Sequence, residues 1–316
     1  MLTRRTMLAG SAGLALIQAR PLLAADRPPL RLIVPFAAGS APDLVARLLA
    51  ERWERPVVVI NMAGAGGNIG VDHVAKAGKD GHTLVLAGDA AITVNQALYP
   101  QMPFDAQRDL APISQIVMTP NLLVVTANSP IRSVADIVAS ARAEPGKLTY
   151  ASAGAGTSSH RAGEMLKRAE GIDITHVPYR SSPLPDVLNG SVGFFFANVA
   201  TALPLVREGK LRALATSGRQ RLAIADEIPT MIELGYEGFE AVAWFGLLAP
   251  AGTPPGMILG LFTELAAIGS ESGVRSRLFA MGAEPIFSSP EAFTELIAAE
   301  TPKWALLMRR TGIRIQ

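Results

Sequence analysis

The feature that most constrains this fold is a recurring unit: a short continuous apolar run, a turn of small residues, then a helical periodicity. Arg31-Leu32-Ile33-Val34, Val57-Val58-Val59-Ile60 and Thr83–Ala87 read as strands. Between them, Pro42–Glu54 places Leu44, Val45, Leu48 and Leu49 at helical spacing, and Ile69–Ala77 forms the next helix. Strands that are apolar throughout, rather than alternating, are buried on both faces, which predicts a parallel sheet covered by helices. Strand–helix alternation with right-handed crossovers then gives a doubly wound α/β lobe.

A second set of the same units follows Leu122-Leu123-Val124-Val125. Helices are predicted over Val134–Ala143 and Thr157–Ala169, with strands at Leu148–Tyr150, Thr175–Val177, Val192–Phe196 and Leu211–Thr216. The end of the chain differs: an apolar strand, Ala241–Leu248, leads through Pro250, Pro254 and Pro255 into helices from Met257 and over Pro290–Arg310. A helical tail that cannot form a core of its own is expected to return to the first lobe. The expected division is residues 26–125 for lobe I, 126–244 for lobe II and 245–316 back in lobe I. Crossings near Val125–Asn128 and Ala241–Leu248 would form a hinge.

The first residues read as an address. Arg4-Arg5 precede an apolar stretch, Met7–Ile17, and Ala24-Ala25 supply small residues for cleavage. Residues 1–25 are therefore expected to be a signal peptide of twin-arginine type, with general secretion the open alternative. Removing Arg4, Arg5 and Arg20 from 29 Lys+Arg leaves 26 against 27 Asp+Glu. A near-neutral mature chain offers no footprint for nucleic acid or for an anionic membrane. Cysteine is absent, which excludes disulfides, thiolate ligands, a cysteine nucleophile and a lipid-bearing N-terminal cysteine. The four histidines, His73, His82, His160 and His176, have no metal-ligand spacing, so no metal and no cofactor are expected.

The turns at the carboxyl ends of the predicted strands carry the candidate binding residues, because ligands of doubly wound sheets sit there. The first is Phe36–Asp43, with Phe36, Gly39, Ser40 and Asp43; its small residues let backbone approach a ligand, and the following helix points free N–H groups into the crevice. Asp43 has two open readings, a helix cap or a partner for a ligand amine or hydroxyl. The second turn, Asn61–Gly70, holds Gly64, Gly66 and Asn68; Ile69 stands where a dinucleotide fingerprint needs its third glycine, so a pocket floor is expected instead. The third, Ser152–His160, offers Ser152, Gly154, Thr157, Ser158 and His160 to an anion. Ser159 and His160 are helix neighbours that do not face each other, and no G-x-S-x-G occurs, so hydrolase chemistry is not expected. The fourth stretch, His176–Ser182, places Tyr179 and Arg180 at a strand edge, where Arg180 either meets a carboxylate or is solvated at a surface turn.

These motifs together resemble the extracytoplasmic receptors of tripartite tricarboxylate transporters, the Bug family, along essentially the whole mature chain. The resemblance rests on Ile33-Val34-Pro35-Phe36 with Gly39 and Asp43, Gly64–Gly70, Asp80-Gly81-His82-Thr83-Leu84, Ser152-Ala153-Gly154 with Gly156-Thr157, His176-Val177-Pro178-Tyr179, Trp244-Phe245-Gly246 and Pro250–Pro254. It implies a periplasmic two-lobe binding protein of the type II, Venus-flytrap class and no enzyme. It also implies a small dicarboxylate, tricarboxylate or aromatic carboxylate as ligand and membrane transporter subunits as partners. No stable membrane insertion and a monomeric state are expected. A ligand-presenting partner of a membrane sensor, or a cleft enzyme acting on carboxylates, are the competing readings. The chain departs from the family pattern at Ser40, Pro42, Arg180-Ser181 and Gly193, so the ligand is not implied by the resemblance.

The leader generates a first prediction. Amino-terminal sequencing of protein recovered from the periplasm should begin close to Asp26; recovery of intact Met1 in the cytoplasm as the main form would refute export.

Overall fold

The computed structural model of the chain describes residues 28–99 and 101–311. The expected signal peptide lies outside the described residues. In chain order the elements begin with β1 (Leu30–Val34), α1 (Ala41–Arg52), β2 (Val57–Asn61), α2 (Asn68–Ala75) and β3 (Thr83–Gly88). A π-helical turn, Ala90–Val94, runs into α3 (Asn95–Leu98), followed by α4 (Ala106–Asp109) and β4 (Leu110–Thr119). Next come β5 (Asn121–Thr126), α5 (Val134–Ala143), β6 (Thr149–Ser152), α6 (Ser158–Glu170), β7 (Thr175–Pro178), α7 (Leu184–Leu188), β8 (Phe194–Asn198), α8 (Val199–Arg207) and β9 (Leu211–Thr216). The chain ends with β10 (Ala243–Pro250), α9 (Pro255–Ser270), α10 (Ser272–Ala280), β11 (Glu284–Pro285) and α11 (Pro290–Thr311).

Two sheets form. The first has the order β11-β4-β10-β3-β1-β2 and the second β7-β6-β8-β5-β9. Within β1 the side chains alternate between two cores. Leu30, Leu32 and Val34 pack with Val45, Leu48 and Leu49 of α1, while Ile33 packs with Val71 and Val74 of α2 and Phe293 of α11. The second sheet repeats the arrangement: Leu123, Val125, Tyr150, Phe194 and Phe196 face α5 and α6, and Leu122, Val124, Ala151 and Phe195 face α8. Continuous apolar strands thus serve two covering layers, as their composition requires.

Both sheets are mixed rather than wholly parallel. β1 runs parallel to β2 and β3, and β6 parallel to β7 and β8. By contrast, β10 lies antiparallel between β3 and β4, and β5 antiparallel between β8 and β9. These antiparallel strands are the ones entered by crossing from the other lobe.

The sheets place the crossings differently from the sequence-based division. Leu122–Thr126 already pairs in the second sheet, so the chain crosses at Pro120, and Ala243–Trp244 already pairs in the first, so it returns at Val242. The crossings are tied side by side. The Asn121 side-chain amide and the Ser217 hydroxyl both donate to the Ala241 carbonyl, at 2.9 and 2.8 Å. Trp244 is lobe I packing: it is buried, meets Phe293 edge-on and donates its indole N–H to Glu300 at 2.8 Å.

Candidate functional site

A cavity of ≈ 110 Å³ lies between the lobes, at the carboxyl ends of β1 and β3 on one side and β6 and β8 on the other. One water needs roughly 10–15 Å³ of such space, so the cavity can hold several waters or a small organic molecule. Phe36, Gly39, Ser40, Thr157, Ser158 and Arg180 of the sequence candidates line it. Asp43, Gly64, Gly66, Asn68, Ser152, Gly154, His160 and Tyr179 do not.

On the lobe I side, Gly39 takes a φ of 76°, which a glycine adopts without strain. Its N–H donates to Asp43 Oδ2 at 2.8 Å. Asp43 also accepts from Arg47 Nε and from the Asn61 amide, each at 2.9 Å. Burial works to raise the Asp43 carboxyl, but the bonds from Arg47, Gly39 and Asn61 outweigh it and hold the group below the usual carboxylate range. Asp43 lies in the first turn of α1 rather than at its cap, and its bonds go to Gly39, Arg47 and Asn61. Ser40 occupies the N-cap of that helix without capping it, and its buried Oγ has no partner.

The Gly64–Asn68 turn is not the cavity floor. Gly66 abuts the other lobe, where an added Cβ would lie 2.5 Å from the Ala155 carbonyl oxygen. Gly154 meets it from the opposite side, with room for a Cβ only 3.2 Å from Gly66 Cα. These glycines therefore allow backbone to close on backbone. Asn68 is buried behind them and accepts from the Asn95 amide at 2.7 Å.

In lobe II, the Thr157 hydroxyl donates to the Gly154 carbonyl at 2.6 Å and shares a hydrogen bond with Ser159 Oγ at 2.9 Å. Ser159 Oγ also accepts from Ala153 N–H. This web fixes the turn, and Thr157, Ser158 and Ser159 at the start of α6 line the cavity. His160 lies behind the turn: its Nδ1 accepts from Gly156 N–H at 3.1 Å, and its ring stacks on His176 with centroids 4.1 Å apart. Ser152 Oγ lies 2.6 Å from His176 Nε2, but Ser152 is fully buried and its hydroxyl holds Gly154 N–H. The Tyr179 hydroxyl donates to Asp186 at 2.7 Å, away from the cavity. Arg180 is exposed at the cavity mouth, beside Ser181 and Ser182.

A buried ion pair joins the lobes at the base of the site. Arg161 of α6 donates to the Asp89 carboxylate, just after β3, and the two side chains are 2% and 5% exposed. The same guanidinium donates to the Gly156 and Val242 carbonyls, each at 3.0 Å, and lies 4.3 Å over the Trp304 ring of α11. Burial pushes the Asp89 carboxyl up to about 6, against the pull of Arg161. Asp89 also lines the cavity. Among the described residues, no group of three or more potential ligands could hold a metal ion, and no single helix is long and apolar enough to cross a membrane.

Residues 43–313 match the model of the tripartite tricarboxylate transporter family receptor. The chain belongs to that receptor family. Protein BugT of Bordetella pertussis is 35% identical over 295 residues, covering 91% of this chain and 90% of BugT. The structure of the periplasmic binding protein BugD superposes with a TM-score of 0.87 at 31% identity, covering 91% of this chain and 99% of BugD. An R. palustris protein solved with adipate gives a TM-score of 0.87 at 33% identity, covering 90% of this chain and 98% of that one. The chain is accordingly a solute-binding receptor of a periplasmic family and not an enzyme.

Sequence reasoning about the receptor missed Asp89, Arg161, Asn121, Asn198 and the aromatic wall of Phe195 and Phe245. Asp89 follows the third strand at its carboxyl end, the same rule that picked out the other turns, and was legible on that ground. Arg161 was not, because its partner is 72 residues away.

Two predictions follow from this geometry. Arg161→Ala leaves Asp89 buried without its partner and should destabilise the receptor by about 3–5 kcal/mol in urea unfolding, with the Asp89→Asn, Arg161→Met double variant recovering much of that loss. Burial, and then Arg161, push His160 down to about 4, from an ordinary value of 6.5. The neutral ring is favoured by folding, so its contribution is complete above pH 6.5 and is lost as pH falls toward 4. At pH 5 the loss from His160 should be about 2 kcal/mol, read as a lower unfolding midpoint than at pH 7 and a smaller difference in His160→Gln.

Proposed function

We propose that the interlobe cavity binds a small organic carboxylate and that the receptor hands it to the membrane subunits of a tripartite transporter. The observation that carries this reading is the pairing of helix starts across one cavity. α1 and α6 both begin at its wall, and among the described residues Arg180 is the only cationic side chain that lines it. Helix N-termini offer unpaired amides and a positive dipole end, which suit an anion. Closure of the lobes removes water and strengthens each charge-assisted bond. The adipate held by the R. palustris relative supports the same ligand chemistry.

Removing Arg180 as Arg180→Gln should weaken the cognate carboxylate by about 1.5–3 kcal/mol, or roughly ten- to a hundredfold. Gly39→Val should also block binding, since Gly39 lines the cavity and its Cβ position is otherwise open. Calorimetry checks both; two well-folded variants that bind as tightly as the parent would remove the site from this cavity. Cells lacking the receptor should lose uptake of the same carboxylate. In solution scattering, ligand should reduce the radius of gyration, and an unchanged radius would remove the clamp mechanism.

A further inference from the structure

Negative charge outweighs positive at the buried base of the cavity. Asp89, 3% exposed, follows β3 and lines the cavity. Two ionisable groups act on its carboxylate from the helices packed against it. Arg161 of α6 donates to it, and the negative charge of Glu300 on α11 opposes it. Glu300 accepts from the indole N–H groups of Trp244 and Trp304, at 2.8 and 3.4 Å, and these donors carry no charge. One guanidinium therefore stands against two carboxylates.

No buried cation among the described residues completes the balance. His160 and His176 lie behind the Ser152–His160 turn, where burial above all pushes them down to about 4 and about 3, so both rings are neutral at pH 7. Lys303 of α11 is exposed, with its Nζ 5.4 Å from the centre of the Trp304 ring. Arg180 is exposed at the cavity mouth, where water and salt screen it from the base.

A bound anion adds a third negative charge to this region. The cavity measures ≈ 110 Å³, so a carboxylate inside it shares a small, water-poor space with Asp89. Like charges held close in such surroundings do not all stay ionised, and the group whose charge is least supported takes a proton. Burial already pushes the Asp89 carboxyl up to about 6, whereas an ordinary carboxyl ionises near ~4, so the ligand keeps its charge and Asp89 gives up its own. Once Asp89 is neutral, the charge of Arg161 is no longer cancelled by it and counters the ligand instead.

We infer that the receptor takes up a proton together with its anionic ligand, and that Asp89 is the residue that accepts it. This rests on the carboxylate reading of the cavity and adds a dependence on pH to it. Linkage sets the sign. A ligand that raises the Asp89 pKa binds most tightly below the ligand-free value and loses affinity as pH climbs toward the bound one.

The test is calorimetry of the exported chain with adipate, malate and benzoate at pH 7.5, each in phosphate and in Tris, whose heats of ionisation differ. For an acid that binds, the difference between buffers should correspond to more than about half a proton taken up per ligand, and affinity should fall about tenfold from pH 6.5 to pH 8. Asp89→Asn, which keeps a hydrogen-bond acceptor for Arg161, should abolish both effects. Binding without proton uptake in the parent overturns the inference and leaves the carboxylate reading standing. A folded Asp89→Asn variant that still takes up the proton does the same. If Asp89→Asn does not fold, infrared difference spectra of the parent carrying carbon-13 aspartate decide. A newly protonated aspartate carboxyl on adding ligand supports the inference, and its absence overturns it. If none of the three acids binds, native mass spectrometry of freshly prepared protein supplies the resident acid for the same measurement, and no bound organic acid removes the carboxylate reading and the inference together.

Discussion

One buried ion pair ties the two lobes together. Arg161 and Asp89 are both almost wholly withdrawn from water, and ionised groups in such surroundings are costly unless their bonds are complete. Arg161 draws on four parts of the chain, the end of β3, its own turn at Gly156, the second crossing at Val242 and the Trp304 ring of α11, while its buried Nε has no partner among the described residues. Those parts converge only when the lobes are together.

Around the pair, close approach is secured by the absence of side chains. Gly66 and Gly154 face each other across the lobe boundary, and Gly156 comes so near Asn95 that an added Cβ would lie 2.2 Å from its Oδ1. The Asn95 amide donates to the Gly66 carbonyl at 3.3 Å, a bond within the first lobe that holds this edge in place. Glycine-rich turns after strands have two uses in a two-lobe protein, to admit a ligand and to admit the other lobe. Here the turn after β1 lines the cavity, and the turns after β2 and β6 carry the lobe contact, with Thr157 and Ser158 at the end of the latter reaching the cavity.

That double use marks the boundary of what the sequence disclosed. Apolar runs such as Leu32–Val34 and Leu122–Val125 announced buried strands because composition follows burial on both faces. They did not announce direction, since an antiparallel central strand such as β10 carries the same residues. β4 escaped notice for another reason. Pro112, Ser114 and Gln115 interrupt its apolar pattern, yet the strand is paired on both sides, by β10 and β11, and Gln115 N–H is met by Ser288 Oγ at 3.0 Å. Gly64, Gly66 and Asn68 form a tight turn, as their spacing predicts, but the turn does not line the cavity, because spacing gives a turn's shape and not what it faces. Ser40, Thr157, Ser158 and Arg180 line the cavity, because the ends of strands in a doubly wound sheet bring them there.

The hinge follows from the same economy of connection. Each crossing between sheets is only a few residues long, at Pro120 and at Val242, and proline restricts φ at the first of them. Asn121 and Ser217 bind the Ala241 carbonyl together, so the two crossing strands are cross-linked beside the point where they leave lobe II. On the lobe I side, Thr119 Oγ1 accepts from Asn198 of lobe II at 3.2 Å and lies 3.3 Å from the Gly282 carbonyl, which it can reach as a donor. Connections this short and this well tied cannot absorb large internal rearrangement. In the proposed clamp, motion would therefore be rotation of two intact lobes about the crossings, and the cavity, the glycine contacts and the Asp89–Arg161 pair all lie at the boundary between the lobes.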